Sequence, residues 1–545
     1  MRLRPVTVRW LIVVASATVL LAGCSDDDSS ATTTTTEPTT TTAPTSTTTP
    51  PGDDGPLPVA WVRQVGGAGD DTVSGVAGRD DVVLGIGTTT GVVPDPPRPG
   101  ARSATFVDVV AAADGVPRAT TRSDQPRTTD GRAIASGTVG TTRPAPGGEG
   151  GGGGQVSRVS MACGSTPSAE RPDPAVVAPA GGTDGWCAPV GDDGTLGPAQ
   201  LIGSDGDDAV AGVTVHSDPA DSTGTGSADP SAFAVGRTSG LFPGAKDPTG
   251  GYLGEGDALV LRLDPTGSVR WARQFGTVAA DQADAVTTSD DGDVIVGGST
   301  DGRTDGDLIG TLGARDAWMA RMDPTGNLRW LTQFGSADSD RVVAVGRGGD
   351  PRRGTELFVG GGSTGGSIGS TTSLGGLDGM TAAFDASGRL IWSSQLGSPL
   401  DDEVTGVVVD GSTVYVSGTT AGEIVGAERI SLTPTAEPEP AEGQDPTTTA
   451  PSTTAPPTTA PPTSGGRDGF LAAIDAASGE LRWVAQFGTA GEELTTAMTR
   501  TESGVLVVSG STTGQLGSTP PGGGTDGFMI AFRLPATGGG AASIV

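Results

Sequence analysis

Asp468-Gly469-Phe470 begins an apolar stretch. After a turn from Asp475 to Gly479 the chain reaches Trp483-Val484-Ala485-Gln486-Phe487-Gly488, and a further stretch ends at Gly510-Ser511-Thr512-Thr513-Gly514. These three signals, Asp-Gly-aromatic, Trp-x-x-Gln-Phe-Gly and Gly-Ser/Thr-Thr-x-Gly, return along the chain. A unit of about sixty residues repeated in tandem marks a propeller or solenoid, because each unit buries its apolar face only against its neighbours.

The tryptophan signal stands at Trp61, Trp271, Trp330, Trp392 and Trp483, with reduced versions at Thr120 and at Pro198 to Gly203. The glycine signal also gives seven, at Gly87, Gly137, Gly236, Gly298, Gly362, Gly418 and Gly510. Apolar residues within a unit alternate, or run for four to eight positions between turn residues, so the elements are strands, four to a unit. The last unit has Leu494 to Arg500, Val505 to Ser511 and Phe528 to Leu534 but no tryptophan strand, whereas Trp61 to Gly66 has no partner of its own. The reading is an all-β, seven-bladed propeller of four-stranded blades, closed by pairing of the N- and C-terminal strands, which leaves only short protected edges. Asp264-Pro265-Thr266-Gly267, Asp323-Pro324-Thr325-Gly326, Asp385-Ala386-Ser387-Gly388 and the Asp475 turn carry type I turn chemistry between third and fourth strands.

These residues resemble the bacterial seven-bladed β-propeller repeat family, whose units look like W-x-x-Q-F-G, then Asp, then G-x-x-Y-V-x-G-x-T, then D-x-F. Val414-Tyr415-Val416-Ser417-Gly418-Thr419 is similar to the central element, and the resemblance runs from about Val59 to Leu534. It implies a fold and no particular chemistry.

Arg2, Arg4 and Arg9, the apolar run Trp10 to Leu21 and Leu21-Ala22-Gly23-Cys24 look like a lipoprotein signal with its lipobox, the run being short for a membrane span. Residues 1–24 are therefore read as the signal, with Cys24 lipidated. Residues 25–57, acidic and then Thr/Pro-rich, form an extended tether, 58–534 the propeller, and 535–545 a flexible tail. Disordered insertions are expected at about 141–183 and 427–466, the second including a Thr/Pro tract suited to O-glycosylation. The expected location is the outer face of the cell membrane, held there by the lipid. In an exported chain, Cys163 and Cys187 are expected to form a disulfide stapling the second blade.

A net charge of -31 with Lys246 the single lysine argues against nucleic-acid binding, which needs clustered cations to neutralise phosphates. The single histidine, His216, lies in an alternating stretch and reads as a strand-end residue rather than a catalytic one. A zinc site would need several Cys and His ligands close together. No catalytic residues are assigned.

The sharper signal is a set of acidic pairs nine or ten residues after the tryptophan position: Asp70 with Asp71, Asp207 with Asp208, Asp281 with Asp284, Asp338 with Asp340, Asp401 with Asp402, and Glu492 with Glu493. Read as loop residues between one blade's outer strand and the next blade's inner strand, they form a ring on one face. Such a ring is either a cation-binding rim suited to calcium or a set of loop caps bonded to backbone amides. The caps are favoured, because no stretch has D-x-D-x-D spacing. Asp184, Asp316, Asp378, Asp468 and Asp526, which open third strands, are expected to fix the lead-in loop, and the tryptophans to pack between blades.

The leading expectation is a non-enzymatic, monomeric lipoprotein without a cofactor, whose propeller binds a protein or glycan or serves as a scaffold. Two alternatives stand beside it. One is a calcium-dependent adhesion module. The other is a quinoprotein-like dehydrogenase, because Ile474 to Trp483 is similar to the tryptophan-docking repeat of that family, which implies eight blades and commonly a disulfide between adjacent cysteines.

Overall fold

The computed structural model describes residues 55–91, 103–123, 130–140, 156–167, 182–216, 231–246, 254–310, 312–350, 354–432, 465–517 and 522–535. Cys24, most of the tether, the 433–464 tract and the tail lie outside these residues. The described chain forms seven antiparallel sheets of four strands, six of them running in chain order from the innermost strand to the fourth. The first blade, for example, is Asp71–Arg79, Val82–Thr89, Ala104–Ala111 and Pro117–Ser123. Two blades add a short parallel strand at the outer edge, Asp307–Gly310 beside Leu328–Gly335 and Glu428–Arg429 beside Leu481–Phe487.

The seventh blade is built from both ends of the chain. Val59–Val65 lies antiparallel to Asp526–Arg533, with Trp61 opposite Ala531 and Gln64 opposite Phe528. The ring closes onto the first blade at the inner strands, where the Thr496 hydroxyl donates to the Val73 carbonyl at 2.6 Å.

Cores lie between blades. Each third strand is buried on both faces, so it reads as a continuous apolar run, and on five of them an aromatic residue, Phe106, Trp186, Trp318, Phe470 or Phe528, is fully buried. Burial of each such side chain stabilises the ring by about 2–3 kcal/mol. The tryptophans reach across to the next blade: Trp271, Trp330 and Trp392 donate their indole N–H to the carbonyls of Pro324, Ala386 and Ala476, in the following blade's third hairpin, at 3.2, 3.1 and 2.9 Å. Trp61 does the same to Ala112 at 2.8 Å, and Trp483 packs against Leu57, Val59 and Phe532. Inter-blade packing is therefore the observed role of the tryptophans. Leu57, assigned above to the tether, belongs to the core.

Blade two needs a corrected register. Its inner strand is Asp130–Gly140, so Gly137 to Gly140 is not the glycine signal; that signal is Gly164-Ser165-Thr166 on the second strand, Val156–Pro167. The reason is steric. A Cβ on Gly164 would fall 1.8 Å from the Asp130 carbonyl oxygen, as one on Gly87 would from Thr72 and one on Gly236 from Ala209. Gly137 and Gly140 resemble the signal in sequence but lie one strand earlier. Residues 156–167, inside the expected insertion 141–183, are thus central sheet, and residues 427–432, inside the expected insertion 427–466, include the short strand Glu428–Arg429. In blade one a bulge between Val109 and Val110 places Ala119, rather than Thr120, at the tryptophan position.

Cys163 and Cys187 face each other on adjacent strands of blade two, with Cα atoms 4.2 Å apart, and form a disulfide.

Candidate functional site

In five of the seven blades the repeated polar residues form one network. Gln274, on a fourth strand, donates to the carboxylate of Asp257 at 2.8 Å and to the Gly240 carbonyl at 2.9 Å, while its own oxygen accepts the Phe242 N–H at 2.8 Å. Gln64, Gln333, Gln395 and Gln486 repeat this pattern with Asp526, Asp316, Asp378 and Asp468. The glutamine thus joins the third strand's first residue to the loop after the second strand, which is why both signals recur together.

The acidic ring divides into two sets. Asp71, Asp208, Asp281, Asp340, Asp402 and Glu493 are the buried first residues of inner strands. Each accepts the main-chain N–H of the residue four positions earlier, Gly67, Ser204, Thr277, Ser336, Ser398 and Thr489, at 2.6–2.8 Å. Asp70, Asp207 and Asp401 instead cap the loop that leads into the preceding blade's third strand, accepting from Thr525, Thr183 and Leu377 at 3.2, 2.9 and 3.0 Å. Glu492 lies beside Gly466, in the equivalent loop, and Asp338 lies against Gly366.

The buried set has close neighbours beyond its sequence neighbours. The tertiary structure brings Asp340 to Asp316 around Gly335, where a Cβ would fall 2.4 and 3.0 Å from their oxygens, and brings Asp281 to Asp257 around Gly276 in the same way. That crowding explains the closing glycine of Trp-x-x-Gln-Phe-Gly. Asp71, Asp208, Asp281 and Asp340 are held above the ordinary carboxylate range, first by burial, with neighbouring carboxylates adding to the effect against opposing hydrogen bonds. Asp402 is pushed up to about 6 for the same reasons, Asp378 being the neighbour. Among the described residues no group of three or more His, Cys, Asp or Glu side chains is placed to hold a metal ion.

Asp284 is not a loop residue. Every inner strand carries a β-bulge two or three residues after its acidic start, and the residue it expels from the ladder, Ser74, Arg132, Ala211, Asp284, Val343, Thr405 or Thr496, faces the central channel. A bulge re-aims a side chain, and here it re-aims seven into one lumen with a cavity of about 200 Å³. An adjoining cavity of about 190 Å³ is bounded by Arg132, Ser165, Arg237, Gln282 and Asp284. Burial raises Asp284 to about 6, although Gln282 Nε2 donates to both its oxygens at 3.2 and 3.0 Å and Arg341 and Arg315 lie near. Glu403, raised mainly by burial, pairs with Arg341 at 2.6 Å. Arg132 forms a long ion pair with Asp130, at 4.0 Å, and is exposed. The channel mouth therefore offers a carboxyl group that changes charge near pH 6, an exposed guanidinium and three hydroxyl-bearing positions. No repeat signal marks it, because the residues that differ between blades are the ones that line it.

His216 is buried, with Nδ1 3.3 Å from the Thr288 hydroxyl and its ring against Gly292, so it packs between blades. Gly292 N–H donates to Ser289 O at 3.1 Å, making Asp290 to Asp293 a hairpin turn.

No protein-family profile matches the chain. A stretch of 210 residues, 36% of the chain, is 27% identical to the regulatory protein FlaEY of Caulobacter vibrioides, and spans about a fifth (22%) of that protein. Among solved structures, a quinohemoprotein alcohol dehydrogenase from Comamonas testosteroni is similar at 11% identity and a TM-score of 0.36, over 89% of this chain and 78% of that one. An endosialidase of phage phi92 is similar at 9% identity and a TM-score of 0.36, over 90% and 71%.

Proposed function

We propose that the chain is a non-enzymatic binding module, a propeller carried on a lipid-anchored tether outside the cell that presents the channel-mouth face to a protein or glycan partner. The observation that carries this reading is the division of labour among side chains. The repeated Asp, Gln, Gly and Trp residues are taken up in bonds between strands and blades, whereas the seven bulge residues, identical in position, differ in chemistry. A framework of fixed residues around a variable polar lumen suits recognition of a hydrogen-bonding partner, with Asp284, Arg132 and Thr405 as the contact groups. The lipobox at Cys24 and the Thr/Pro tether support an external location, and the net charge of -31 speaks for a partner other than nucleic acid.

The quinoprotein reading is left aside on two departures: the ring has seven blades, and the disulfide joins cysteines 24 residues apart rather than adjacent ones. The test is a panel of envelope glycans and surface proteins applied to the full chain, with Asp284→Asn and Arg132→Gln compared. Binding that both substitutions weaken supports the reading. Binding that neither changes removes the channel mouth from it.

A further inference from the structure

In four blades the second residue after the closing glycine of Gly-Ser/Thr-Thr-x-Gly is a plug. Phe242, Ile368, Ile424 and Leu516 each send the main-chain N–H to the glutamine oxygen, at 2.8, 3.4, 3.0 and 2.9 Å, and turn a buried side chain into the inter-blade core. The fourth blade keeps the bond and lacks the plug. Its residue is Thr304, whose N–H and hydroxyl both donate to Gln333 Oε1, at 2.9 and 3.1 Å. Where an apolar side chain would lie, a cavity of about 350 Å³ opens between blades three and four, floored by Ala258, Phe275, Trp318 and Leu331. That volume is within the range of small-ligand pockets, roughly 300–1,000 Å³.

The mouth is charged on both signs. Arg303 and Asp305 flank Thr304, are exposed, and form no ion pair or hydrogen bond with each other or with any other described residue. Val278, 79% exposed, forms the opposite rim. An apolar floor beneath one unpaired cation and one unpaired anion matches one chemical class: a small zwitterion with a large apolar group.

We propose that this cavity binds a free α-amino acid with an aromatic or branched aliphatic side chain, the side chain taking the plug's place over Trp318, the carboxylate meeting Arg303 and the ammonium meeting Asp305. The site is separate from the channel mouth and does not depend on the function assigned to it. The test uses the full chain with L-phenylalanine and L-leucine as probes, followed by calorimetry and by indole fluorescence. 3-Phenylpropionate and 2-phenylethylamine each remove one charge. Saturable binding is expected, weakened tenfold or more for either half-charged analogue. Thr304→Ile, which restores the plug found in blades five and six, should abolish binding and raise the melting temperature. Arg303→Gln should weaken phenylalanine and 3-phenylpropionate and leave 2-phenylethylamine unchanged. No saturable binding to the unsubstituted chain, or equal binding after Thr304→Ile, overturns the proposal. Equal affinity for all three phenyl compounds overturns the zwitterion assignment.

Discussion

Replacing Asp402 by Asn tests the account of the blade junctions. Asp402 accepts the Ser398 N–H at 2.6 Å and, across the junction, faces Asp378, whose Oδ1 has no hydrogen-bond partner among the described residues. Burial and this neighbour hold it at about 6 against an ordinary value of 3.8. The folded state thus binds the proton more tightly than the unfolded chain. Stability from this group is fully present below pH 4 and is lost as pH rises through 6. At about 1.4 kcal/mol per pH unit the full loss would be about 3 kcal/mol, which screening by water reduces to about 1–2 kcal/mol. Asparagine keeps an oxygen for Ser398 and carries no charge to repel Asp378. The difference in unfolding free energy, variant minus unsubstituted, should therefore rise by about 1–2 kcal/mol between pH 4 and pH 7.5. Urea unfolding followed by tryptophan fluorescence at a series of pH values measures it. A flat difference, or one that falls with pH, refutes the paired-carboxylate argument, whatever the variant's absolute stability.

Gln274→Ala leaves Asp257, the Gly240 carbonyl and the Phe242 N–H without their shared partner and should cost about 2–4 kcal/mol, read by the same unfolding curves. Replacing Cys163 and Cys187 together by alanine releases a loop closed over 24 residues and should cost about 3–4 kcal/mol by chain entropy, with the reduced unsubstituted chain showing a similar loss. Calcium added to the full chain should leave the melting temperature unchanged if the acidic ring serves only as caps; a saturable rise would instead make those carboxylates cation ligands.

Blade number, strand order and ring closure were legible because each repeat signal serves the framework. Trp392, Gln395 and Gly397 recur at fixed spacing in five blades since each answers a demand those blades share: an indole reaching across to the next blade, an amide tying two loops, a missing Cβ where a buried carboxylate approaches. Blade two was misread because Gly137 and Gly140 imitate a glycine signal whose steric cause lies at Gly164. Local pattern does not say which strand a glycine belongs to when the connecting loop is also glycine-rich.

The sites were less legible. Sequence adjacency paired Asp70 with Asp71 and Asp281 with Asp284, whereas Asp281 and Asp340 meet Asp257 and Asp316 of the preceding blade, Asp526 adds to the charge around Asp71, and Asp284 is turned into the channel by a bulge. The empty plug position at Thr304 becomes visible only once Phe242, Ile368, Ile424 and Leu516 are seen to fill the same hole. The sequence by itself determined a seven-bladed all-β ring and the residues that brace it, because bracing repeats and repetition can be read along one dimension. Only the tertiary structure decided which carboxylates meet, which side chains enter the lumen and where a core is left unfilled, because those contacts form between units distant in the chain, where a single residue's difference has no pattern to announce it.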